Sequence, residues 1–164
     1  MKRLLIVRHA KAEKTAPRGG DFDRPLAPRG EADAVEMGRR LARSKTHPDA
    51  IVTSPAERAL ATARLIAREL DFPWDELRTA KSVYLACAGS LLELVRELPS
   101  GAESAMIVGH NPGVSELAQS LVRDFAQDLP TAAVVAIDLP ADTWAGVRRG
   151  NGTLRSYDYP KNIP

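Results

Sequence analysis

Cysteine occurs once in the 164 residues, at Cys87. A lone thiol excludes an intramolecular disulfide and any cysteine-built zinc cluster, and it suits a reducing, cytoplasmic setting. Cys87 itself reads as a small filler of the core. Long apolar runs are also missing. Met1, Lys2 and Arg3 precede only four apolar residues before Arg8, too few for an export signal or a membrane span, so no membrane association is expected. Charge of one sign is scarce: 23 Lys and Arg are offset by 21 acids and are scattered along the chain. The pI near 8.8 therefore does not amount to a nucleic-acid footprint. There is no repeat, linker or low-complexity tract. With 44% hydrophobic and 27% charged residues, the composition is that of a globular protein, and residues 1–164 read as one domain.

What is present is an alternation of short apolar runs with amphipathic stretches, the α/β pattern. Strands are expected at Arg3–Val7, Asp49–Thr53 and Ala105–Val108, with a weaker one near Lys81–Leu85. Helical faces are carried by Ala34, Met37, Gly38 and Leu41 between Gly30 and Arg43, and by Leu60, Ala63, Ala67 and Leu70. Leu91 to Leu98 forms a third face and Val114 to Phe125 a fourth. From Ala132 onward the pattern becomes strand-like, at Ala132–Leu139, Ala145–Arg148 and Leu154–Tyr157. The expected architecture is a three-layer sandwich: a mostly parallel central sheet flanked by helices, with an antiparallel C-terminal edge.

Three of these strands end in polar residues, and ligands of open α/β sheets sit beyond the carboxyl ends of the strands. The first end is Arg8-His9. The second is Thr53-Ser54-Pro55-Ala56-Glu57-Arg58, in which Ser54 and Glu57 have the spacing of a capping box and Pro55 suits the first helical position. The third is Gly109-His110-Asn111-Pro112-Gly113, with Asn111 a candidate cap. Two arginines, two histidines and two helix starts at one sheet edge suit an anion, and phosphate above all, because guanidinium forks match its oxygens in pairs. No Walker A loop, GxGxxG turn or acidic metal cluster accompanies them, so neither a nucleotide cradle nor a metal site is indicated.

These residues, in this order, resemble the histidine phosphatase superfamily. The short length, Arg24-Pro25-Leu26, VGHNPGV at 108–114 and TAAVVAIDL at 131–139 resemble its SixA-type phosphohistidine phosphatases. The resemblance covers nearly the whole chain. It implies that His9 is the nucleophile and that Arg8, Arg58 and His110 form the phosphate pocket. Arg24 is then a further contact, with Ser54 and Asn111 beside it as substrate-binding candidates. It implies hydrolysis through a phosphohistidine intermediate without metal or other cofactor. The implied substrate is a phosphohistidine-bearing protein such as a phosphotransfer domain, acted on by a monomer.

The chain departs from the wider superfamily at Ala10, where most members have glycine. It departs again at SVYLACAGS, residues 82–90, which lacks the carboxylate that larger members use as general acid. Asp21, three residues before Arg24, is the best candidate for that acid, and Glu57 a poorer one. Asp21 and Asp23 could instead be a metal-binding pair. Two rival functions remain at this point: a small-ester phosphatase of the same mechanism, and a phosphoprotein-binding module without turnover.

Overall fold

The computed structural model describes residues 1–163. Ten regular elements follow one another. They are β1 (Lys2–Arg8), α1 (Pro28–Arg43), β2 (Ala50–Thr53), α2 (Glu57–Glu69), β3 (Arg78–Thr79), α3 (Ala88–Arg96), β4 (Ser104–Gly109), α4 (Gly113–Leu121), β5 (Val134–Leu139) and β6 (Thr153–Asp158). The six strands form one sheet in the order β3-β2-β4-β1-β5-β6. β1 runs parallel to β4, and β2 parallel to β4 and β3. β5 and β6 add antiparallel pairings on the other side, as the change of pattern after Ala132 implied.

The apolar run of β1 is explained by its position inside the sheet. Leu4 and Ile6 point into one core, and Leu5 and Val7 into the other, since successive strand residues face opposite sides. Leu91 and Val95 of α3, with Leu117 and Leu121 of α4, cover the first face. Met37 of α1 and Ile66 of α2 cover the second. The molecule is thus an α/β sandwich of three layers. Each fully buried aliphatic side chain contributes roughly 1.5–3 kcal/mol, and these two cores supply the rigidity on which a polar sheet edge can be mounted.

Four local expectations are corrected. Lys81–Leu85 is not a strand: β3 is the preceding pair Arg78–Thr79, and Lys81–Val83 forms a 3-10 turn. The turn buries Val83 while sending the next residue, Tyr84, to the sheet edge. Ala145–Arg148 is likewise no strand. Trp144–Gly146 is a 3-10 turn that seats Trp144 in the core, where its Nε1–H donates to the Ala102 carbonyl at 2.8 Å. α4 stops at Leu121, short of Phe125, though Phe125 is still buried. Cys87 is exposed rather than a core filler, because it stands at the N-cap of α3 with its apolar neighbours turned inward.

One glycine is required by the packing near the edge. A Cβ on Gly113, the first residue of α4, would strike the carbonyl oxygen of Ala86. Its absence lets the Tyr84–Ala86 segment cross that helix end closely.

Candidate active site

The strands β2, β4 and β1 are neighbours, so their carboxyl ends lie side by side. Register carries the pairing past the strands: Arg8 stands opposite Gly109, His9 N–H donates to the Gly109 carbonyl at 3.0 Å, and Ser54 N–H to that of Val108 at 3.0 Å. Arg8, His9, Ser54, Arg58 and His110 are thereby brought together. His9, Ser54, Arg58 and His110 are all buried, although each is polar.

His9 is fixed by its backbone neighbour. Its Nδ1 lies 2.7 Å from the Ala10 carbonyl, so Nδ1 carries the proton and Nε2 keeps a free lone pair. Ala10 is in turn held by Thr62 of α2, whose hydroxyl accepts from Ala10 N–H at 2.9 Å and donates to the Arg58 carbonyl at 2.7 Å. Ala10 is fully buried in the core and does not adopt positive φ, so its methyl is accommodated.

The imidazole of His110 lies 5.2 Å from that of His9, centroid to centroid, with Nε2 2.8 Å from Ser54 Oγ. Ser54 Oγ already accepts from Ala56 N–H at 3.2 Å. The assignment that satisfies the most groups has the Ser54 hydroxyl donating to Nε2, which leaves the proton of His110 on Nδ1. That buried atom has no partner, and neither has Arg8 Nε nor Arg58 Nε. Three buried donors left without a protein acceptor, on residues that share this sheet edge with His9, are what an anion-binding pocket offers, since such groups are otherwise nearly always paired.

The outer nitrogens of the arginines are anchored instead. Arg8 Nη1 donates to the Leu129 carbonyl at 3.0 Å. Arg58 donates from Nη1 to the Asp21 carbonyl at 2.7 Å and from Nη2 to Asp21 Oδ2 at 3.0 Å. The same carboxylate accepts from Tyr84 OH at 2.7 Å and from Arg24 Nε at 3.1 Å. Tyr84, which the sequence did not mark, also packs its ring edge-on to His110 at 5.4 Å and to Phe22 at 5.1 Å. Its one sequence signal is that it is the sole aromatic in the otherwise small-residue segment 82–90.

Electrostatics follows from this burial. Desolvation, reinforced by His110, Arg58 and Arg8, brings the His9 imidazole down to about 3. Desolvation and the arginines bring His110 to about 4. Both rings are therefore neutral at pH 7. Asp21, hydrogen-bonded by Tyr84 and Arg58, is held down at about 2, which makes it a carboxylate and not a reservoir of protons.

Other expected site residues are placed differently. The Ser54–Glu57 capping box does not form: α2 begins at Glu57 with Ala56 at its N-cap and no side-chain cap, so Ser54 stands two residues before the cap position and its Oγ accepts from Ala56 N–H instead. Asn111 is not a cap either, since Pro112 occupies that position in α4. Its Oδ1 accepts from Ser115 Oγ at 2.6 Å and its Nδ2 donates to the Leu129 carbonyl at 2.9 Å, so it braces the acceptor that anchors Arg8. Arg24 reaches back to the Glu13 carbonyl at 2.9 Å and ties down the loop as well as Asp21. Asp21 and Asp23 do not act as a pair: Asp23 Oδ2 accepts from Gly20 N–H at 3.3 Å, away from the cluster around Asp21.

Comparison with known proteins agrees with this geometry. The profile of the histidine phosphatase superfamily (branch 1) matches residues 4–82. An uncharacterized protein of Mycobacterium tuberculosis is 30% identical over 166 aligned positions, which cover 94% of this chain and all of that protein. The crystal structure of a provisionally assigned phosphohistidine phosphatase SixA from Agrobacterium tumefaciens superposes with a TM-score of 0.82 at 25% identity, over 97% of this chain and 98% of that one. The protein histidine phosphatase SixA in complex with tungstate has the same fold, with a TM-score of 0.79 at 24% identity over 99% of both chains. The chain belongs to the histidine phosphatase superfamily and is of its SixA type.

Proposed function

We propose that the chain removes phosphate from phosphohistidine on a protein, with His9 as the nucleophile. The observation that carries this reading is the ring of buried unpaired donors, Arg8 Nε, Arg58 Nε and His110 Nδ1, beside an imidazole whose Nε2 is left free by the Ala10 carbonyl. A phosphoryl group gives each donor an oxygen and Nε2 a phosphorus to attack. In the first step the bond from Nε2 to phosphorus forms as the bond to the substrate's imidazole breaks, and that imidazole, protonated beforehand by solvent on its other ring nitrogen, leaves as the neutral ring. In the second step water attacks the phosphorus, the bond to Nε2 breaks, and inorganic phosphate departs. The three donors hold charge that spreads over the equatorial oxygens, and a well-placed donor of this kind is worth about 3–4 kcal/mol of the barrier.

A protein substrate is favoured by the likeness to SixA-type structures. Retention of His9 and His110 together speaks against a module that only binds, for which arginines suffice. The test is phosphate release from phosphohistidine-bearing proteins beside small esters, with the enzyme trapped by acid-free quench. A phosphoenzyme that is acid-labile, base-stable and absent from His9→Ala is expected. Faster turnover of small esters than of every phosphoprotein would transfer the assignment to a small-molecule phosphatase.

A further inference from the structure

A cavity of about 380 Å³ is walled by Lys11, Arg29, Asp33, Thr131, Tyr159 and Lys161 among others. Two of its walls continue directly from the site. Lys11 is two residues beyond His9. Thr131 lies in the stretch whose Leu129 carbonyl anchors Arg8 and whose Ala132 N–H bonds the carbonyls of Arg8 and His9, both at 3.1 Å. The third wall is the C-terminal stretch, and it is fixed rather than loose. Arg40 of α1 donates to the carbonyls of Tyr159, Pro160 and Asn162 and to the Asp158 carboxylate, at 3.0–3.2 Å, which fixes the backbone that carries Lys161 into the wall of the cavity shared with Lys11.

The charge of this cavity is one-sided. Its single acid, Asp33, is paired with Arg29 at 3.2 Å, and among the described residues no ion pair holds Lys11 or Lys161. Two exposed ammonium groups therefore face an open volume whose remaining lining includes a hydroxyl and an aromatic ring. An ammonium is a compact point charge suited to carboxylates approaching from several directions, and charge complementarity of this sort governs encounter and choice of partner.

We infer that this cavity is a docking subsite for carboxylate side chains of the substrate protein, seating an acidic stretch of its surface while its phosphohistidine enters the neighbouring pocket. The inference rests on the reading of a protein substrate given above. It names the chemistry of the partner, a phosphohistidine domain with Asp or Glu around the modified residue.

The experiment uses the full chain and the double variant Lys11→Glu/Lys161→Glu. The substrates are a phosphotransfer domain with carboxylates flanking its phosphohistidine, the same domain with those residues changed to Asn and Gln, and p-nitrophenyl phosphate. The double variant should lose about tenfold in kcat/KM on the acidic domain, mostly through KM, with a loss that shrinks as salt rises. It should differ less than about twofold from the unaltered chain on p-nitrophenyl phosphate and on the neutralised domain. Equal losses on all three substrates, or none, would overturn the subsite while leaving the protein-substrate reading intact. A changed inhibition constant for inorganic phosphate with p-nitrophenyl phosphate as substrate would overturn it in favour of a site for the free anion. Turnover of the ester without turnover of either domain would overturn the underlying reading, and the subsite with it.

Discussion

The neutrality of His9 at working pH can be tested directly. A free imidazole ionises near 6.5, whereas burial and the surrounding cations bring His9 to about 3. At pH 5 the two values give very different amounts of neutral ring: about 3% of the imidazole is neutral with an ionisation at 6.5, and about 99% with one at 3. The structure therefore predicts roughly thirty times more competent His9 at pH 5 than an ordinary histidine would offer. Kinetics alone would blur the effect, because phosphate esters change their own charge near pH 6. A ring-nitrogen NMR titration of the phosphate-free protein avoids this. The chain has only three histidines, so the His9→Gln and His110→Gln variants assign the signals. The His9 ring should stay neutral from pH 8 to pH 5, with its proton on Nδ1 as the 2.7 Å contact to the Ala10 carbonyl requires. A midpoint between pH 6 and pH 7, or a proton on Nε2, would refute both the electrostatic argument and the readiness of Nε2 to attack.

Three further outcomes are expected. Because His9 and His110 both have folded values below the unfolded 6.5, the unfolded chain takes up protons first as pH falls. Stability should hold above about pH 6.5 and decline below it, by at most ~1.4 kcal/mol per pH unit for each histidine, and a urea midpoint that rises from pH 7 to pH 5 would contradict this. His9→Ala should lower turnover by several orders of magnitude yet still bind vanadate, since the three donors remain; substantial residual hydrolysis would point to direct attack by water. Asp21→Asn should reduce kcat/KM by about ten- to a hundredfold on every substrate alike, the scale of losing a charged anchor on Arg58, whereas an effect confined to alkyl esters would restore Asp21 as a proton donor.

The parts of this site that were legible in the sequence are those fixed by a single rule. Leu4–Val7 could only be a strand buried on both faces, and the polar residues that end it, β2 and β4 had to meet once those strands were neighbours. What escaped was decided by contacts between distant segments. Ser54 and Glu57 have the spacing of a capping box, but the helix starts only at Glu57, and Ser54 is left to bridge Ala56 N–H and the buried His110 of another strand end. The Val, Tyr and Leu of residues 83–85 have strand propensity, yet the pairing with β2 is taken by Arg78–Thr79, and the chain turns at Lys81–Val83, burying Val83 and bringing Tyr84 to Asp21. Leu129 and Ala10 serve through backbone carbonyls, which no residue type announces.

The state of Asp21 bears on which bonds the enzyme can break. Its carboxyl is held at about 2 by Tyr84 and Arg58, so at pH 7 it has no proton to give. The Tyr84 hydroxyl is already donated to Asp21 and its ionisation is pushed up by that same contact. A leaving group must therefore depart with a proton of its own or from solvent. Phosphohistidine meets that condition, because its imidazole can be protonated before the bond to phosphorus breaks. An aryl phosphate meets it nearly as well, since a phenoxide is a weak base. An alkoxide does not, and loss of side-chain assistance costs such a step about 10²- to 10⁴-fold. Turnover of phosphoramidates and aryl phosphates should accordingly exceed that of sugar phosphates by that order when kcat is compared at saturation. Equal rates on a sugar phosphate would mean that a proton donor other than Asp21 serves the pocket, and would favour a small ester over phosphohistidine as the physiological substrate.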